Sequence, residues 1–562
     1  MSTLTPDLLI KNRFLGFLIW QSIPSTVVYF FLKAFISTIA NSIADTDTSS
    51  LHSTSSSLFW TFVPSFRGFI SFITFHFSLL LFSSTLSVIA SPQPDRPASL
   101  FELATGLIRL LYVPGGGGGG SPVVDSEDFR HRAKVSLSFV LFVAAAAASG
   151  FTASVSLCGV RAIRDHDDGF WVIGRLGLRG FLVGLLFGLH YVYKRRWVLD
   201  FPIIQRPPYF SFKMGLPSAV RRALKLSCVA FVFSTTLVQF LPHPLKSSIT
   251  MRRSFMEQII CSIGSFAVFI CWELTHHLHR VLHTKRFMFA PPKGSAAAET
   301  NPSEYLLVAL EESNPTSLLR YLAYLDLCMV CENNVDTWRR AAFFEETGET
   351  YKRIIAVCLR PLEQLASRLG EGLGNSVDKP AQLSNQLLSP TDSRLDTKYL
   401  EPLTNFKLYA WCSKTVASLT ACSHREDKFG AAQLSGSNAA VVSTLLSCLL
   451  AVETFMGKKT NLQSPNQLSG PASIRWLPAN SGRADVATVK RRSGPVNSKA
   501  YAVADVLKTS IYQIVSTFHD EMLASAKAGL LEKDWITSGK PIFGTREILI
   551  QKLRLFLDFR AT

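Results

Sequence analysis

Four histidines, His276, His277, His279 and His283, crowd into one short stretch directly after an apolar run. Imidazole nitrogens bind iron and zinc, and His279 and His283, four apart, share a helix face as paired metal ligands do. Membrane-bound di-iron oxygenases place such histidine boxes at helix ends, but they need several boxes. The other eight of the twelve histidines here stand singly. Arg280, Lys285 and Arg286 lie among and beside the four, so the cluster reads as a cationic turn against lipid headgroups, with no metal. Cys328-Met-Val-Cys331 has redox spacing, yet no strand precedes it and the surrounding residues repeat as a helix does, so it reads as core packing. The six glycines 115–120 are followed by Ser-Pro rather than Lys-Ser/Thr, which excludes a phosphate cradle. No Ser/His/Asp set has sequence support. No catalytic residue, metal ligand or cofactor is therefore assigned, and the chain is not expected to be an enzyme.

The elements around these residues explain their setting. Six apolar stretches, at about 14–31, 69–90, 135–157, 170–192, 226–241 and 259–274, fall within residues 1–286. A helix of roughly 17–25 mostly apolar residues crosses the ~30 Å hydrocarbon layer. Lys and Arg near membrane ends stay on the cytoplasmic side, so their distribution tests the span count as well as the orientation. With six spans, nineteen lie on the side of the N-terminus and of the residues after the last span, against seven on the other. Both ends of the chain are thus expected in the cytoplasm. The fourth stretch carries Arg175 and Arg179, each costing ~2.5–3.5 kcal/mol near mid-bilayer. Removing that span leaves ten against eighteen, a poorer asymmetry, so it is kept. The two arginines, four apart, snorkel or face the bundle interior.

Hydrophobic residues make up 48% of the chain, and net charge is +17. Such a charge suits nucleic acid, but much of it sits in loops beside the spans, where it serves orientation and anionic headgroups, so no direct nucleic-acid partner is expected. Ten cysteines are scattered, four of them in or at the spans, and predict no disulfide framework. The first apolar stretch is expected to serve as a signal anchor.

Residues 287–562 read as a cytosolic helical interaction domain. Apolar residues recur at three-to-four spacing over 303–311, 316–332, 337–369, 405–423, 438–456, 500–527 and 545–559. Segments 370–399 and 458–499 are rich in Gly, Ser, Pro and Asn and read as loops; the second holds Lys490-Arg491-Arg492. The nearly charge-free run 439–455 is expected to be a buried core helix rather than a seventh span. The helix 545–559 is expected to dock on its own domain. The fold class is all-α: a polytopic membrane domain of six transmembrane helices followed by an all-helical cytosolic domain.

Two segments carry a resemblance. Leu322-Ala323-Tyr324-Leu325-Asp326-Leu327 is one, and ASLTACSHREDKFGAAQ at 417–433 is the other. The second resembles the Ser-x-x-Glu-Asp-x-Phe/Tyr-Gly-Val-Val-Gln segment of the transmembrane nucleoporins of the nuclear-division-cycle type, with Ala431 and Ala432 where valines are usual. Residues 500–523 are similar to a later helix of that family. The resemblance implies a protein that anchors nuclear pore complexes in the pore membrane of the nuclear envelope. Its partners would be inner-ring scaffold nucleoporins, other membrane nucleoporins and the lipid bilayer. Glu426, Asp427, Phe429, Gly430 and Asp326 are the interaction candidates; Arg175, Arg179 and the four histidines are the membrane-interface candidates. The alternative on the same residues is a multi-span oxygenase or transporter. Phe-Gly dipeptides occur only at Phe187, Phe429 and Phe543, too few for a permeability barrier.

Overall fold

A computed structural model of the chain describes residues 6–47, 66–94, 97–99, 102, 126–158, 169–202, 205–239, 251–291, 294–312, 317–333, 336–374, 403, 405–462 and 495–561. The glycine run, most of the segments 370–399 and 458–499, and Lys490-Arg491-Arg492 lie outside the described residues. The chain divides into two compact units, Met1–Lys285 and Arg286–Thr562. Among the described residues both are helical, and the one strand-like contact is an isolated bridge between Ser91 and Val198.

The first unit holds α1 (Pro6–Asp47), α2 (Phe66–Ile89), α3 (Ser126–Cys158), α4 (Gly169–Tyr193), α5 (Pro208–Gln239) and α6 (Met251–His283). Five of them are long and apolar enough to cross a membrane, over Leu8–Ile36, Gly68–Ile89, Arg130–Cys158, Ile173–Tyr193 and Gln258–His283. Residues 226–239 of the expected stretch 226–241 form the second half of α5, and the last two lie outside the described residues. Its described part follows Arg221, Arg222 and Lys225 and runs to Gln239. A sixth helix of spanning length and apolarity, Ser437–Gly457, belongs to the other unit.

Packing in the first unit is inverted relative to a water-soluble bundle. Ile19, Trp20, Ile23, Val27 and Phe31 of α1, Phe69, Ile73 and Phe77 of α2, and Leu137, Val140 and Leu141 of α3 are exposed. Gln21, Ser71, Ser78, Ser83, Ser149 and Ser156 are buried. Water would penalise an apolar exterior this continuous, whereas hydrocarbon requires it. The interior is tied by aromatic rings: Trp272 lies 5.2 Å from Phe82 and 5.0 Å from Phe187 between centroids. Between α3 and α4 the backbones touch. A Cβ at Gly180 would stand 2.2 Å from the Gly150 oxygen, and one at Gly184 2.1 Å from the Ala146 oxygen. Small residues four apart create this close approach, which is how apolar helices associate where water supplies no driving force.

Helix ends in this unit meet in a consistent order. Arg13 of α1 donates to the carbonyls of Leu282, His283 and Lys285 at 3.2, 2.9 and 2.7 Å, covering the acceptor end of α6. The Leu199 amide donates to Ser91 O at 2.9 Å, joining the residues after α4 to those after α2. The Ala98 amide donates to Arg132 O at 3.3 Å near the start of α3. The ends that carry most of the Lys and Arg therefore lie together.

The second unit contains α7 (Ala296–Thr300), α8 (Glu304–Leu310), α9 (Leu318–Glu332), α10 (Thr337–Ala341), α11 (Glu349–Gly374), α12 (Phe406–Glu426), α13 (Ala431–Leu434), α14 (Ser437–Leu462), α15 (Pro495–Thr517), α16 (His519–Lys527), α17 (Leu531–Trp535) and α18 (Arg546–Ala561). Its centre is α14, packed by α11, α12, α15, α17 and α18. Two thirds of the apolar window of α14 is buried (67%), the largest share of any helix of spanning length, so it has little face left for lipid. The helix α18 docks on α14 and α15 through the buried Leu549, Leu553 and Leu557.

Two expected helices are divided. The run 337–369 breaks between α10 and α11, where Gly348 takes φ +66° and Glu345 Oε1 accepts from Thr347 Oγ1, Thr350 Oγ1 and the Thr350 amide. The run 500–527 breaks at the buried Phe518. Within α11, Pro361 has no N–H for the Val357 carbonyl. The buried Tyr324 hydroxyl donates to that oxygen at 3.1 Å, so a residue of the Leu322–Leu327 segment repairs the helix.

Candidate functional site

The segment 423–434 begins as the last turn of α12 and crosses to α14. Glu426 meets the buried Arg340 of α10 in a two-pronged pair, 2.9 Å from Nε and 2.5 Å from Nη2. Arg340 Nη1 also donates to Cys331 O at 3.3 Å, near the end of α9. One guanidinium therefore ties three helix ends. The hydrogen bonds that Arg340 donates to the Glu426 carboxylate raise its proton affinity above the ordinary value and keep it charged despite burial. Asp427 ends α12 through its amide, bonded to Ser423 O, and its Oδ2 accepts from the Ala432 amide at 2.8 Å, covering the start of α13. Gly430 takes φ +70°, a conformation that a side chain disfavours. The chain turns so tightly that Phe429 is left outside, 52% exposed, beside the exposed Lys428.

Asp326 is wholly buried. Its carboxylate accepts from Arg286 Nε at 2.8 Å, Arg339 Nη2 at 2.8 Å and the Phe289 amide at 3.0 Å. Arg286 Nη2 reaches Asp336 at 2.7 Å, and Arg339 donates to Phe289 O at 3.1 Å. This network binds the first residues of the unit to α9 and α10. Glu426, Asp427, Gly430 and Asp326 are thus occupied in shaping the unit, and Phe429 alone of the five candidates projects a large exposed side chain.

Sequence reasoning missed the arginines that complete these pairs. Arg286, Arg339 and Arg340 are far from Asp326 or Glu426 in sequence or in a different helix, and no local spacing marks them. Cys328 and Cys331 are buried side chains of α9; burial pushes both thiols well above their ordinary range.

In the first unit the histidine cluster turns inward. His277, His279 and His283 are buried and His276 is half-buried. His279 and His283 stack face to face at 3.9 Å, with Phe17 of α1 edge-on to His279 at 5.1 Å. His277 Nε2 lies 3.1 Å from Phe212 O of α5, where it donates, and a Cβ at Gly215 would collide with it at 2.0 Å. His276 Nδ1 pairs with the Tyr191 hydroxyl at 3.1 Å. The four rings serve three different neighbours rather than one centre, and among the described residues no His, Cys, Asp or Glu group is arranged to hold a metal. Arg175 is buried and Arg179 half-buried. Beside His276, the wholly buried Glu273 takes both Arg196 nitrogens at 2.5 and 2.7 Å, with Arg222 Nε at 3.7 Å. An acid in otherwise nearly acid-free spans is the sequence signal for this pair.

The turn 423–434 and the Asp326 network both fall within a match to a family model. That model, described as Nucleoporin protein Ndc1-Nup, matches residues 176–405 and 391–523, more than half of the chain. The chain belongs to the Ndc1-Nup nucleoporin family. No curated protein matches it. The Ndc1-Nup match begins within α4 and runs through α5, α6 and the second unit as far as α16. Membership gives this helical, transmembrane chain a nucleoporin role at the nuclear pore, and the Ndc1-Nup family is one of structural nucleoporins.

Proposed function

We propose that this nucleoporin anchors the nuclear pore complex in the pore membrane, with its tail binding inner-ring scaffold nucleoporins and other membrane nucleoporins. Residues 1–286 hold the bilayer, residues 287–562 form the helical interaction domain, and both termini face the cytoplasmic or pore side. The observation that carries the reading is the family match across both units, from α4 to α16. Two features support the division of labour: the apolar exterior of the first unit, and the gathering of its basic helix ends together. Glu426, Asp427, Gly430 and Asp326 give the tail its shape, and Phe429 with Lys428 is a contact offered to a partner. The buried histidines and Arg175 hold the bundle together rather than a cofactor.

A fluorescent fusion tests the location and Phe429→Ala tests the contact. The fusion should give a punctate nuclear rim, and Phe429→Ala should melt as the parent does while recovering less scaffold nucleoporin in cross-linked immunoprecipitates. A reticular pattern without rim enrichment refutes the anchor.

A further inference from the structure

Two cysteines that the sequence keeps far apart meet in the first unit. Cys158 is the last residue of α3, and Cys261 lies in the first turns of α6. A Cβ built at Gly264 would stand 2.9 Å from the Cys158 sulfur, so this thiol rests against the α6 backbone at the one residue type that leaves it room. Cys261 precedes Gly264 by three residues and shares its helix face, where neighbours lie ~5–6 Å apart between Cβ atoms. The two cysteines are within electrostatic reach of each other, and both are half-buried. Side-chain rotation at the last residue of α3 is the movement that a bond between the two sulfurs requires.

Their position is the second observation. The Lys33 ammonium donates to Ser156 O at 2.9 Å, and Ser71 Oγ donates to the same oxygen at 2.6 Å. The end of α3 therefore lies with the later part of α1 and the beginning of α2, opposite the end where Arg13 meets Lys285.

We infer that Cys158 and Cys261 form an inter-helix disulfide on the lumenal side of the nuclear envelope, a reading that rests on the topology proposed above. The lumen of the endoplasmic reticulum is oxidising, so a thiol pair on that side meets disulfide donors that a cytosolic pair does not. A protein disulfide of a lumenal oxidoreductase is the oxidant. One cysteine thiolate attacks a donor sulfur, giving a mixed disulfide and releasing one donor thiol. The second cysteine attacks its partner's sulfur in that mixed disulfide, forming the S–S bond and releasing the second donor thiol. Two thiols are oxidised, one donor disulfide is reduced, and the two protons pass to the donor. The bond pins α3 to α6 across the bundle.

The test uses the full chain in native membranes. Thiols are blocked with N-ethylmaleimide under denaturing conditions, then the protein is reduced and labelled with a maleimide-polyethylene glycol. Two adducts should appear after reduction in the parent chain, and none in Cys158→Ser or Cys261→Ser. A long tag carrying an N-glycosylation site, inserted in 159–168, reads the topology in the same membranes. Glycosylation of the tag without polyethylene glycol adducts overturns the disulfide and leaves the topology standing. An unmodified tag overturns the topology and the lumenal bond with it.

Discussion

Replacing Asp326 with alanine removes a buried carboxylate that faces two guanidiniums inside the second unit. Arg339 is itself buried, and its Nη2 lies 2.8 Å from that carboxylate; the Phe289 amide lies 3.0 Å away. Loss of one partner of a buried ion pair costs ~3–5 kcal/mol, because the remaining charge has neither water nor a counter-charge. An orphaned amide costs a further ~1–3 kcal/mol, partly contained in the same figure. At ~1.4 kcal/mol per tenfold, amide protection in α9 and α10 should fall by about two to three and a half orders of magnitude, read by hydrogen exchange on the full chain. Asp326→Asn should fall less, since its amide oxygen still accepts from Phe289. Protection that stays within tenfold of the parent in Asp326→Ala refutes the structural role and returns Asp326 to the interaction candidates.

Other outcomes follow from the same geometry. Gly184→Leu forces a side chain into the Ala146 carbonyl and should abolish a monodisperse size-exclusion peak, whereas Gly174→Ala meets nothing within 4 Å and should change stability by no more than about 0.5 kcal/mol. Arg340→Lys keeps the charge but not the two-pronged pair with Glu426, so exchange should quicken by roughly tenfold at the end of α12 and in α10. Burial raises the Cys328 and Cys331 thiols, so the reactive thiolate is scarce at pH 8. Iodoacetamide should leave both unmodified in the native protein by peptide mass spectrometry; labelling at the denatured rate would contradict their burial.

Helix existence was legible because periodicity and apolar length are local. The stretch 439–455 was recognisable as a core helix from its brevity and its terminal Glu453, and α14 is enclosed on several sides. What spacing did not reveal is where a helix ends when its flank is basic. The final span reads as finishing at Leu274, yet α6 continues to His283. The histidines therefore ride on an inward-facing helix surface against Phe17 and Phe212, although Arg280 and Lys285 beside them suggest an exposed turn. The Glu426-Asp427-x-Phe-Gly segment forms a tight turn. Its meaning depends on Arg340, which no local pattern connects to it. Long-range ion pairs are set by which faces meet, and a linear sequence states that only through packing.

The grip of Arg13 on the carbonyls of Leu282, His283 and Lys285 has a consequence in time. α1 is made before α6, whose last turn it holds, so these bonds cannot form until the chain has been made as far as Lys285. Until then α1 has its own hydrogen bonds but not its final neighbour, and the acceptor end of α6 does not yet exist. Biogenesis of this unit thus contains an obligatory waiting period between the making of α1 and its contact with α6. A cell that shields half-finished membrane proteins must cover α1 for longer than the spans that follow it in this unit.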